Sequence, residues 1–109
     1  MALHVKVNLQ TTIVSINTNP ELFHNDGDIG MTLEGMQKLV GGYIQVVNLR
    51  KPVVVEGITY LHMVINEEGK LSGLPFNAIA TKIAKLDNSI DFSDVIVGEA
   101  ILLQRGEIN

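Results

Sequence analysis

Leu3, Val5, Val7 and Leu9 are separated by His4, Lys6 and Asn8, the period-two pattern of a strand with one buried face. Residues 10–12 supply a turn, and Ile13, Val14, Ser15 and Ile16 predict a second strand. Over residues 17–31 the periodicity vanishes. Asn19-Pro20 and Asn25-Asp26-Gly27-Asp28 are turn chemistry there, with Leu22, Phe23 and Ile29 as anchors. A loop of that length in a small domain is uncommon and often functional or mobile. Thr32 then caps a helix whose Leu33, Met36, Leu39 and Val40 share one face, and Gly41-Gly42 stops it. Residues 43–49 predict a strand that Arg50-Lys51-Pro52 breaks. Val53-Val54-Val55 follows as a short strand, Glu56-Gly57 as a turn, and residues 58–65 as a further strand.

The densest run of turn and cap signals is 64–81. Asn66-Glu67-Glu68-Gly69-Lys70 predicts a tight hairpin loop with Gly69 at positive φ, and residues 71–74 continue outward. Pro75-Phe76-Asn77 starts a second helix, capped by Asn77 or a neighbour, with Ala80, Ile83, Ala84 and Leu86 as its apolar face. Residues 88–94 form a loop. Residues 94–103 end the fold as a buried strand in which Gly98 marks a bulge. The expected fold class is α+β: a mostly antiparallel sheet of five or six strands packed on two short helices, in a single domain spanning 1–109.

Composition narrows the picture. A length of 109 residues suits one domain that buries a core without staples. Cysteine is absent, which excludes disulfides, thiolate metal sites and thiol catalysis. The opening six residues lack the layout of a signal peptide, and no apolar run approaches the ~20 residues of a membrane span. A cytoplasmic protein is expected. The net charge of −4 is scattered and no basic stripe is visible, so neither nucleic acid nor membrane is an expected partner. Charged residues are 18% of the chain and hydrophobic ones 46%, against roughly 25% charged in ordinary domains. So little charge on a small surface predicts a homo-oligomer.

No catalytic set emerges. Ser15, Ser72 and Ser89 sit in no nucleophile context, and His4, His24 and His62 are too dispersed for a metal. Asp26 and Asp28 lack the remaining ligands of a calcium loop, and adjacent Glu67 and Glu68 point apart in a turn. Gly41-Gly42 is too short for a phosphate loop. No cofactor is expected. The second helix offers more. Its N-terminus favours an anion, Lys70 lies just upstream, Phe76 suits a flat ring, and Asn77 and Thr81 share a helix face.

Four segments follow in order: Leu39-Val40-Gly41-Gly42-Tyr43-Ile44; Val64-Ile65-Asn66-Glu67-Glu68-Gly69-Lys70-Leu71; Leu74-Pro75-x-Asn77-x-x-Ala80-Thr81; and Asp94-Val95-Ile96-Val97-Gly98. Together they resemble a small family of phage and bacterial proteins known only as a domain of unknown function, over about residues 32–103. Members of that family often carry a basic residue after the asparagine of the Leu-Pro motif, where this chain has Ala78. Residues 17–31 look like an addition to the family core. The resemblance implies a phage or mobile-element origin, hence the host cytoplasm, and supplies no activity. Small oligomeric phage proteins without catalytic residues include inhibitors of host defence that sequester nucleotide signals such as cyclic ADP-ribose derivatives or cyclic dinucleotides. By that analogy this chain is expected to bind a nucleotide-derived ligand. Tyr43 and Phe76 would stack on it, Asn66, Asn77 and Thr81 would hydrogen-bond, and Lys70 and Arg50 would meet its phosphates. Two alternatives stay open: a module that inhibits a host defence enzyme by direct contact, and a small nucleotide hydrolase using Asp26, Asp28 or a histidine.

Overall fold

A computed structural model describes residues 2–24, 30–86, 89–90 and 94–104. The expected features at Asp26, Asp28, Ile29 and most of the 88–94 loop lie outside the described residues. Among the described residues five strands form one antiparallel sheet: β1 (Ala2–Val5), β2 (Thr11–Val14), β3 (Ile44–Val55), β4 (Ile58–Asn66) and β5 (Ala100–Leu103). Two short helices accompany it, α1 (Leu33–Val40) and α2 (Ala78–Leu86). The fold is α+β. Its strand order, β2-β1-β5-β4-β3, places β5 at the centre between two hairpins.

The alternation along β5 sorts the core into two layers. Ile101 and Leu103 join Val64, Met36 and Val40 on the α1 face, while Ala100 and Leu102 join Met63, Ala80 and Ala84 on the α2 face. The helices therefore cover opposite faces, and all four β5 residues are fully buried. Each buried leucine or isoleucine there contributes about 1.5–3 kcal/mol. α1 keeps its predicted cap and stop, but Leu33, in its first turn and 50% exposed, leaves the predicted apolar face, and buried Gly35 joins Met36 and Val40. Thr32 Oγ1 accepts the Gly35 N–H at 2.9 Å, and Gly41, at φ 81°, closes the helix through its N–H to Gln37 O.

Several local readings change. The first turn occupies residues 6–10 rather than 10–12, because Asn8 Oδ1 accepts the Gln10 N–H and Lys6 N–H reaches Gln10 O. Pro52 does not end β3. That strand is the sheet's edge, so a missing N–H costs no ladder bond, and the Arg50-Lys51-Pro52 stretch is absorbed as a register shift between Asn48 and Val53. Glu56 and Gly57, at φ 51° and 81°, then make the two-residue β3–β4 turn that suits the twist of the flanking strands.

Residues 66–70 are not a hairpin loop. They begin a series of tight turns through residue 73, tied by Ser72 N–H to Glu68 O and Leu74 N–H to Gly69 O. Gly69 is not at positive φ. It is glycine because a Cβ there would stand 2.9 Å from Val97 Cγ2. The last strand is shorter than 94–103: Gly98, at φ 79°, breaks the extension, leaving a single bridge between Phe76 and Val97. Leu86 is 73% exposed, and Ile79 takes its place against the α2-side core.

Candidate functional site

The start of α2 is a folding device. Asn77 is fully buried. Its Oδ1 accepts the Ala80 N–H at 3.0 Å, and its Nδ2 donates to Val5 O and Gly98 O, both at 2.9 Å. Thr81 Oγ1 accepts the Ile96 N–H at 2.8 Å and donates to Ile96 O at 3.2 Å. The Asn77 N–H also bonds Ile96 O. Neither residue presents a free polar group to a ligand. Both instead fix the 94–98 segment, a long-range task that spacing along a chain does not reveal. The anion site expected at this helix N-terminus is therefore taken by the protein's own cap.

That fixed segment forms one wall of a cleft of about 260 Å³. The opposite wall comes from Gln45 and Val47 of β3 and Ile65 and Asn66 of β4, and the turns carrying Glu67, Gly69 and Lys70 close one end. The lining is mixed: Val47, Ile65, Ile96 and Val97 supply its apolar part, and Gln45, Asn66, Glu67, Lys70 and Asp94 its polar part. The Lys70 ammonium pairs with the Asp94 carboxylate across the cleft mouth, both groups well exposed. That hydrogen bond, with help from the Val95 N–H, holds the Asp94 carboxyl below its ordinary range.

Two of the seven candidate residues line this cleft, two hold its wall from behind, and Tyr43, Phe76 and Arg50 lie outside the lining. Asn66 and Lys70 line the cleft directly. Asn66 is nearly buried: its Nδ2 donates to Val40 O, its Oδ1 accepts the Glu68 N–H, and Gly42 leaves room for its amide. Tyr43 precedes β3 in the row of Gln45 and Val47, its carbonyl accepting the Glu67 N–H, and it is 67% exposed. Phe76 bridges cleft-lining Val97 and is 53% exposed. The Arg50 N–H donates to Ser89 Oγ, and the residue after Ser89, Ile90, lines the cleft. Glu67 and Asp94 at the rim were not among the expected ligand contacts. The Glu67-Glu68 pair is a visible signal, and Asp94 opens the fourth motif, but its pairing with Lys70, 24 residues away, is not legible in the sequence.

The histidines serve other places. His62 Nδ1 lies 2.8 Å from Asn48 Oδ1, its cross-strand neighbour. His4 Nε2 stands 3.2 Å from Glu99 Oε1 but outside hydrogen-bonding geometry, and Glu99 Oε2 accepts the Val7 N–H. Burial pushes the His4 imidazole below its ordinary pKa, outweighing the opposing pull of Glu99. Among the described residues no group of three or more His, Cys, Asp or Glu side chains is placed to hold a metal ion. Among them, too, no helix is long and apolar enough to cross a membrane.

No curated protein and no solved structure matches the chain. A family model does, over residues 10–108, a span wider than the four motifs and running through residues 17–31. The ordered motifs, the α+β fold they build and this match agree: the chain belongs to the family described as Domain of unknown function (DUF3846).

Proposed function

We propose that this protein is a non-catalytic binder of a nucleotide-derived small molecule, held in the cleft between β3–β4 and residues 94–97. The observation that carries the reading is a concave cleft with a charged rim next to exposed Tyr43 and Phe76, each joined through its backbone to a lining residue, Glu67 and Val97. Large aromatic side chains left in water beside a concave, partly apolar surface suit the faces of a flat ring. The lining charges are one ammonium, Lys70, against two carboxylates, Glu67 and Asp94. A base therefore fits the cleft better than phosphates do, and the phosphates lie toward Lys70, the one cation among the described residues of the lining, with Arg50 beyond it. In a phage setting, such binding removes a host immune signal without chemistry, and a homo-oligomer multiplies the number of sites.

Titration calorimetry of the purified protein against cyclic dinucleotides, cyclic ADP-ribose derivatives and their parent nucleotides tests this. Saturable heat with at least one of them, lost in Tyr43→Ala and Phe76→Ala, is the expected result. No heat across the panel from well-folded protein refutes the reading. Turnover of a nucleotide in the same mixtures would favour the hydrolase alternative.

A further inference from the structure

We propose that β2 pairs edge to edge with β2 of a second copy of this chain, joining two five-stranded sheets into one. The sheet has two edges, and they differ. At the β3 edge, Arg50-Lys51-Pro52 and the register shift sit mid-strand, a combination of charge, proline and bulge that blocks pairing. The β2 edge carries none of these. From Val7 to Pro20 the chain has no charged residue, β2 pairs with β1 in unbroken register, and Leu9, Ile13 and Ile16 are 65%, 41% and 48% exposed.

The register identifies which backbone groups are available. Lys6 N–H donates to Gln10 O, so in the antiparallel alternation His4–Thr12 and Ala2–Val14 are the hydrogen-bonded pairs. Thr11 and Ile13 then direct their N–H and C=O groups away from β1, and no described residue meets them. The next outward carbonyl, of Ser15, is taken by the Asn19 N–H. A two-fold axis at Thr12 sets Thr11 opposite the second copy's Ile13 and forms four backbone hydrogen bonds. Thr12 lies across from its own counterpart in a non-hydrogen-bonded pair, about 4.5 Å between Cα atoms. An uncharged strand is self-complementary in this arrangement, because a two-fold axis sets like charges near one another and β2 itself brings none; Glu56 of the β3–β4 turn shares a hollow with Thr11, Thr12 and Ile13. The occupant is thus a second copy rather than a charged foreign strand.

Native mass spectrometry and sedimentation of the purified chain test the pairing. Wild type is expected at twice 11.9 kDa. Thr12→Lys and Thr12→Glu each put like charges across the axis and are expected at 11.9 kDa, and an equimolar mixture of the two recovers the dimer as a heterodimer. Thr11→Pro deletes an outward N–H and no β1–β2 bond, so it also gives monomer, whereas Val54→Lys on the guarded edge leaves the dimer intact. A wild type that stays monomeric up to millimolar concentration overturns the proposal. So does a dimer that survives in both Thr12 variants.

Discussion

Asn77 ties three elements together through one side chain: the start of α2, the end of β1 and the chain entering β5. In Asn77→Ala the Ala80 N–H loses its cap, worth about 1 kcal/mol. The carbonyls of Val5 and Gly98 lose their donors in a site with no water access to that side chain, at about 1–1.5 kcal/mol each. The expected loss is about 3–4 kcal/mol, a large share of the roughly 5–15 kcal/mol that stabilises an ordinary domain. Urea denaturation followed by circular dichroism reads it as a midpoint lowered by about 2 M, taking a slope near 1.5 kcal/mol/M. Asn77→Asp separates the two contributions. It keeps the acceptor for Ala80 but faces two carbonyl oxygens with a carboxylate, so its folded pKa is raised above the unfolded ~3.9. The stability of that variant is then greatest below the unfolded pKa and is lost as pH rises through the folded one. Its deficit against wild type should be smaller at pH 4 than at pH 7. A loss under about 1.5 kcal/mol for Asn77→Ala, or a pH-independent deficit for Asn77→Asp, would refute the three-way tie.

Three further outcomes follow from the same structure. Gly35→Ala, which in an open helix gains about 1 kcal/mol, is expected to lose about 2 here, because the new Cβ meets Leu22 O at 2.5 Å and Leu22 Cα at 2.9 Å. A calorimetric melt reads that as a midpoint lower by about 10 °C. Thr81→Val orphans the buried Ile96 N–H for about 2 kcal/mol and weakens ligand binding through the displaced wall, while Thr81→Ser keeps the oxygen and loses less than half as much. His4 is held neutral by burial, with Glu99 and Lys6 as the charged groups acting on it, so the stability it contributes is present above the ordinary histidine pKa. That contribution is lost as pH falls from this value through the lower folded-state one, and the pH dependence of denaturant titrations from pH 7 to 5 should flatten in His4→Gln.

The parts of the fold legible in the sequence are those set by neighbours along the chain. The Thr32 cap, the Gly41 stop, the Glu56-Gly57 turn and the Asn77 cap each depend on a few consecutive residues, and each is where the pattern puts it. The misread positions depend on where an element lies in space. Pro52 signals a break unless the strand is an edge, and edge position follows from the whole topology. Gly69 signals positive φ unless another segment comes too close for a Cβ, and Val97 lies 28 positions further on. Leu86 fits the α2 pattern but sits in the last turn, past the end of the surface it was to cover. The same division holds at the cleft. Lys70 and Phe76 stand out by type and by nearness to a helix start, while the ion pair with Asp94 and the diversion of Asn77 and Thr81 into wall building arise from long-range contacts.

The central position of β5 sets the order in which this chain is able to fold during synthesis. The β1–β2 and β3–β4 hairpins emerge from the ribosome first, and each is a two-stranded ribbon of marginal stability in water. Among the described residues no strand pairing joins them until residues 100–103 have left the exit tunnel and slotted between β1 and β4. Nascent chains stalled ahead of Ala100 therefore carry two unpaired inner edges and both halves of an unclosed core, the state in which chaperones and proteases meet this protein.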